Sequence, residues 1–275
     1  MEIQENHELG RQIVDLTRDL VLIPSTEGRP DERARCFQLV RQHLDGIEGI
    51  EVRRFESGGF ESIVVAPSGV VEPGVLLVAH LDVIEHGDAA FYRSEVRDGR
   101  IVGPGTGDMK GQLAILVELF RRLQKLHPGL PVGLAVTSDE ERGGEHGIGY
   151  LFGPEVGLRC GVAVVPDGGS PTDVTVEEKG ILHLRLSVEG REIHAARPWL
   201  GDNAVLRLSR ALTATASRFE QLRGDLPEGG DHWYTTFSPT IVGTSNKTIN
   251  CLPGDASALV DIRFTPPHRS DDIEG

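Results

Sequence analysis

The residues able to do chemistry in this chain gather where apolar, strand-like runs give way to a histidine or an acid. Val75–Ala79 leads into His80-Leu81-Asp82, Val132–Thr137 into Ser138-Asp139-Glu140-Glu141, and Gly161–Val165 into Pro166-Asp167. A fourth acid, Asp108, sits in the glycine-rich loop Gly103-Pro104-Gly105-Thr106-Gly107-Asp108-Met109-Lys110-Gly111 and is expected to open a helix. In an open α/β sheet the carboxyl ends of the strands line one crevice, where ligands bind. One imidazole and several carboxylates converging there would repel one another unless a cation lay between them. The pattern therefore points to a metal site built from nitrogen and oxygen donors.

Taken singly, each signal has an ordinary alternative. His80 and Asp82 share a face of a strand end, and a metal-bound histidine commonly donates its second ring N–H to a carboxylate, yet an acid two residues on also fits a solvated loop. The loop glycines allow close backbone approach around Asp108, which is equally compatible with a helix cap. Glu140 and Glu141 are adjacent and point in different directions, so one can ligate while the other works as a general base, or both can belong to an acidic turn. Asp167 before Gly168 suits an Asx turn as well. Four such positions, in order and at strand ends of one sheet, favour the metal site.

The elements that must position them alternate. Helical spacing runs over Leu9–Leu22, Asp31–Leu44 and Gln112–Leu126, and strands are expected near 51–55, 62–66, 75–79, 132–137 and 162–165. This order implies α/β class with a mostly parallel catalytic sheet flanked by helices. Val75–Ala79, apolar throughout, reads as buried on both faces. After Asp167 comes a turn-rich hinge, residues 168–172, and then the alternation of Leu182, Leu184, Leu186 and Val188 that marks antiparallel sheet with one wet face. A helix over 203–219 and strands near 240–243 and 257–264 complete β-α-β-β, the first four elements of a ferredoxin-like α+β unit. We read residues 1–176 as the catalytic domain and 177–275 as the inserted domain. Ser270-Asp271-Asp272 resembles a helix N-terminus, so the sequence is expected to be truncated one turn into a helix, with the second domain lacking its last helix and strand.

Composition narrows the partners. A formal charge of −14 over 275 residues argues against nucleic acid and anionic membrane surfaces. No apolar run approaches the roughly 20 residues of a membrane span, and the polar start, residues 1–6, is unlike a signal peptide. Cys36, Cys160 and Cys251 are odd in number and lack CxxC spacing, as expected for reduced thiols in a cytoplasmic protein.

The series HxD, GxxDMKG, Glu-Glu and strand-end Asp, followed by Gly190–Pro198, Gly201-Asp202-Asn203-Ala204, Asn250-Cys251-Leu252-Pro253 and Asp261-Ile262-Arg263, resembles one known family. It is similar to the co-catalytic zinc amidohydrolases and metallopeptidases that include acetylornithine deacetylase, succinyl-diaminopimelate desuccinylase, aminoacylase and carboxypeptidase G. The resemblance implies that Asp108 bridges two zinc ions, that His80 and Asp167 complete one site, and that Glu141 binds the other ion. It makes Glu140 the general base and Asp82 the orienter of His80. His194, carried by a lid domain, would reach across a homodimer to help hold the scissile carbonyl oxygen, and Asn250 and Arg263 match substrate-binding positions. Zinc, up to two ions per complete subunit with cobalt or manganese as substitutes, is the implied cofactor. The substrate would be an N-acyl amino acid or small peptide. Two departures stand out: family members run about a hundred residues longer and draw a second-site histidine from that part, and Asp88–Tyr92 lacks the Trp and Pro-Phe common after HxD. The competing expectation is a catalytically silent fragment that retains dimerisation or a single metal site.

Overall fold

A computed structural model describes residues 2–168, 172–223 and 233–274. The chain forms two compact units, residues 1–173 and 174–275. Positions 169–171 of the expected hinge lie outside the described residues.

In the first unit the order is α1 (Glu2–Val21), α2 (Pro30–Leu44), β1 (Ile50–Ser57), β2 (Phe60–Pro67), β3 (Val75–His80), β4 (Glu95–Arg97), β5 (Arg100–Val102), α3 (Gly111–Leu126), β6 (Val132–Thr137), α4 (Ile148–Phe152) and β7 (Val162–Val164). Five strands make one sheet in the order β1-β2-β6-β3-β7. The α/β class holds, but the sheet is mixed. β3 runs parallel to β6 and β7, whereas β1, β2 and β6 pair antiparallel. The short turn after Ser57 makes β1 and β2 a hairpin, β3 reaches its parallel partner β6 by a crossover through α3, and β6 meets β2 antiparallel by long-range pairing.

The apolar strands bury both faces with a period of two. Leu77 and Ala79 of β3 join Leu134 and Val136 of β6 and Ile63 and Val65 of β2 against α1, α2 and α3. Leu76, Val78, Ala135 and Val64 face the opposite way, onto Leu151 of α4 and Leu158. β7 departs from this, with Val162 58% and Val164 41% exposed, as is Val165 just beyond it, at 56%. It is an edge strand paired only with β3 among the described residues. The β4–β5 hairpin and α4 were not anticipated, because elements of three to five residues are too short for periodicity to register.

The second unit comprises β8 (Gly180–Glu189), α5 (Ala204–Arg223), β9 (Thr236–Gly243), β10 (Asp255–Phe264) and α6 (Ser270–Glu274). This is the expected β-α-β-β order, arranged as an antiparallel sheet β8-β10-β9. One face packs on α5 through Ala256, Ala258, Val260 and Ile262 with Ala204 and Leu208. β9 starts four residues earlier than its alternation suggested.

Candidate metal centre

Register brings the strand-end residues level. In the parallel ladder His80 lies opposite Thr137, and Leu77 lies opposite Val164. Counting on from that pair, Asp167 falls level with His80, while the turn after Thr137 carries Glu140. His80 is 2% exposed, and four carboxylates surround its ring. Nε2 is 3.0 Å from Asp108, 3.5 Å from Asp167 and 3.8 Å from Glu140, and Nδ1 is 3.3 Å from Asp82. One atom each from His80, Glu140 and Asp167 can be chosen so that all lie within 4.8 Å of one another. Glu140, expected as a base and not a ligand, thus stands within reach of the same ion position as His80 and Asp167.

Asp82 joins two parts of the centre. Its backbone carbonyl accepts from His80 Nδ1 at 3.1 Å, and its Oδ2 accepts the Glu141 N–H at 3.0 Å. The first contact fixes the ring, and the second seats the acidic turn beside it. Glu141 presents this amide to Asp82, and its carboxyl is pushed up to about 7, by burial first and then by the charge of Asp108. Burial also raises the Glu140 carboxyl; His80 opposes the rise while Asp167, Asp82 and Asp108 add to it.

Asp108 does not open a helix. Its backbone is extended (φ −143°, ψ 94°), its peptide bond to Met109 is cis, and α3 begins only at Gly111. Its acid is therefore held by the loop. Gly105 supplies a positive φ of 71°, and a Cβ there would fall 2.4 Å from Val83 Cγ1. Two residues that the sequence reading passed over anchor the segment. Met109 is buried under His80, its sulfur accepting the His80 N–H at 3.3 Å. The fully buried Lys110 donates to the carbonyls of Leu20 (3.0 Å) and Ile23 (2.6 Å) at the end of α1. The DMK run that closes the glycine-rich loop was the available signal. Asp139 was also missed. It is buried, and its Oδ2 accepts the His146 N–H at 2.7 Å, which closes the loop beyond the two glutamates.

Without metal, both ring nitrogens of His80 face acceptors, the Asp82 carbonyl and the Asp108 carboxylate. Acceptors at both nitrogens favour the protonated ring. Burial disfavours the charge, but the Asp82 hydrogen bond and the charges of Asp82, Asp167 and Glu140 outweigh it and lift the pKa to about 9. A divalent cation fits this arrangement. It would replace the Nε2 proton on the same lone pair, with carboxylate oxygens already gathered, and the nitrogen and oxygen donors suit zinc, manganese or cobalt.

In the second unit His194 and Asn250 are neighbours. The Ala195 N–H donates to the Asn250 carbonyl at 2.8 Å, and His194 bridges to Cys251. His194 Nδ1 accepts from the Ala196 N–H at 3.2 Å, so the neutral ring carries its proton on Nε2. Arg263 spends its fork on Asp261, at 2.9 and 3.1 Å, and Asp261 also meets His183 at 2.9 Å.

A histidine and several acids gathered at the carboxyl end of an α/β sheet suit a bound metal ion. Residues 76–251 match the profile of peptidase family M20/M25/M40, and the chain belongs to that family. It is 25% identical to an uncharacterized metallohydrolase of Methanocaldococcus jannaschii, over 97% of this chain and 71% of that one. It is 31% identical to the succinyl-diaminopimelate desuccinylase of Phenylobacterium zucineum, over 93% of this chain and 68% of that one. An M20 family metallo-carboxypeptidase of Sulfolobus solfataricus shares the fold, with a TM-score of 0.72 at 14% identity, covering 96% of this chain and 73% of its own. Metal-dependent hydrolysis of amide bonds is the chemistry of this family. Within the described residues, no helix is long and apolar enough to cross a membrane.

Proposed function

We propose that this protein hydrolyses the amide bond of an N-acyl amino acid or small peptide. The observation that carries the reading is the approach of Asp108, Glu140 and Asp167 to one nitrogen of His80. His80, Asp108, Glu141 and Asp167 would hold up to two zinc ions per complete subunit, with cobalt or manganese able to substitute. A bound divalent cation supplies Lewis-acid polarisation of the scissile carbonyl and a lowered pKa for water. Glu140 is the general base. It is half exposed, so water reaches it, and its raised pKa brings it nearer the operating pH, where a base is most effective. It takes the proton from water and returns it to the leaving amine. Asp82 keeps His80 in one orientation.

His194 is assigned to the carbonyl oxygen as a donor through Nε2, which its bond to Ala196 favours, and it acts from the partner subunit of a homodimer formed through the lid domain. Asn250 and Arg263 are assigned to substrate. For Arg263 to clamp a carboxylate, the substrate must share or displace Asp261. We take residues 1–176 as the catalytic domain, 177–275 as the lid and dimerisation domain, and the compartment as the cytoplasm. The strongly negative charge supports a small-molecule substrate over nucleic acid.

A hydrolysis screen of N-acetyl amino acids, N-succinyl amino acids and dipeptides tests the proposal, with and without added zinc, beside Glu140→Gln. Metal-dependent turnover that the substitution abolishes is the expected result. Turnover undiminished in Glu140→Gln would remove the base from the reading, and metal binding without any turnover would favour a catalytically silent chain.

A further inference from the structure

One side chain of the second unit uses its whole hydrogen-bonding capacity inside a surface loop. Asn246 lies between β9 and β10. Its Nδ2 donates to the carbonyls of Thr248 (3.1 Å) and Cys251 (3.0 Å). Its Oδ1 accepts from the Thr248 N–H (3.0 Å) and the Thr248 hydroxyl (3.1 Å). Carbonyls can only accept and N–H groups only donate, so the partners dictate which way the amide points. One residue earlier, the Ser245 N–H is tied to Asp255 at the start of β10 at 3.1 Å. Beyond Asn246, the Ala195 N–H donates to the Asn250 carbonyl and the Leu252 N–H to the Ile193 carbonyl, both at 2.8 Å. His194 sits between these two rungs, opposite Cys251.

Asn246 therefore spans the excursion that presents Asn250, joining its turn at Thr248 to its return at Cys251. Apolar packing offers little substitute, since Ile249 in the middle is fully exposed. We propose that Asn246 is a positioning residue that holds Asn250 and His194 in one frame toward substrate. This rests on the reading that His194 and Asn250 contact substrate.

The test compares Asn246→Ala, Asn246→Asp, His194→Ala and Asn250→Ala in steady-state kinetics and in amide hydrogen exchange. Misplacing a reacting partner by about 1 Å costs up to about 100-fold, so Asn246→Ala is expected to lower kcat about 10- to 100-fold with a smaller change in KM. Exchange at the Ala195 and Leu252 amides should accelerate while β8 and β10 keep their protection. Combining Asn246→Ala with His194→Ala should add no further loss in kcat. Asn246→Asp keeps the two bonds accepted from Thr248 but loses both donors, to the carbonyls of Thr248 and Cys251, so it should behave like the alanine variant. Wild-type kcat in either Asn246 variant, or unchanged exchange at Ala195 and Leu252, overturns the proposal. Undiminished turnover in both His194→Ala and Asn250→Ala, with exchange changed as expected, overturns the functional claim by way of the underlying roles. The exchange data tell the two failures apart.

Discussion

The proton on His80 sets a measurable cost on metal binding. Its Nε2 lone pair, the one a cation would use, is protonated in the metal-free protein with a pKa of about 9. At pH 7 roughly one ring in a hundred is then free to ligate, so metal must displace a proton at nearly every site. The apparent association constant should rise about tenfold per pH unit between pH 7 and 9, roughly 100-fold in all, and flatten above. Below pH 7 the Glu141 carboxyl, with a pKa of about 7, adds a second proton for any ion that uses it, and the slope steepens. Competition against a chromophoric chelator of known proton affinities reads the constant. Calorimetry in buffers of different ionisation enthalpy counts the protons released. An association constant that stays level from pH 7 to 9, with no proton release, would refute the imidazolium assignment and with it the geometry around His80.

Further outcomes follow from the same geometry. Glu140→Gln should cost about 10²–10⁴-fold in kcat, as loss of a positioned base does, while metal content by elemental analysis changes little. The metal-free protein should lose stability as pH rises. Folding raises the His80 pKa above 6.5, so its contribution is complete below pH 6.5 and gone above about pH 9. Glu141, raised above 4.5, contributes below pH 4.5 and loses this as pH passes about 7. Denaturant midpoints with and without saturating metal at pH 6 and 9 would check this, since bound metal should reverse the trend. A Cβ at Gly147 would lie 2.1 Å from Asp139 Oδ1 and 2.9 Å from Thr137 Cβ. Gly147→Ala should therefore destabilise by about 1–3 kcal/mol and weaken metal binding, because the same loop seats both glutamates. Phe120→Ala, in the fully buried core under the sheet, should cost about 3–5 kcal/mol by chemical denaturation without changing which residues bind metal.

The residue types and their places at strand ends were legible in the sequence, because a buried strand has a periodicity and a length that a linear pattern displays. Val75–Ala79 and Val132–Thr137 read as strands, and β3 and β6 follow them closely. The histidine and acids that end them therefore had to lie near one sheet edge. Local pattern could not say which strands are neighbours or in what register. β3 lies between β6 and β7 through long-range hydrogen bonds, and only that order sets Asp167 beside His80. The mixed sheet and the exposed β7 escaped for the same reason, since direction and edge position belong to pairing and not to composition. Asp108 shows the limit most plainly. Its loop was marked by glycines, but its extended backbone depends on Met109 lodged beneath His80 and on Lys110 reaching the end of α1. Those contacts join residues 29 and 90 positions apart. The sequence by itself determined which groups could bind metal; the tertiary structure decided how they meet, because distance between side chains is fixed by packing and register, which no local run of residues contains.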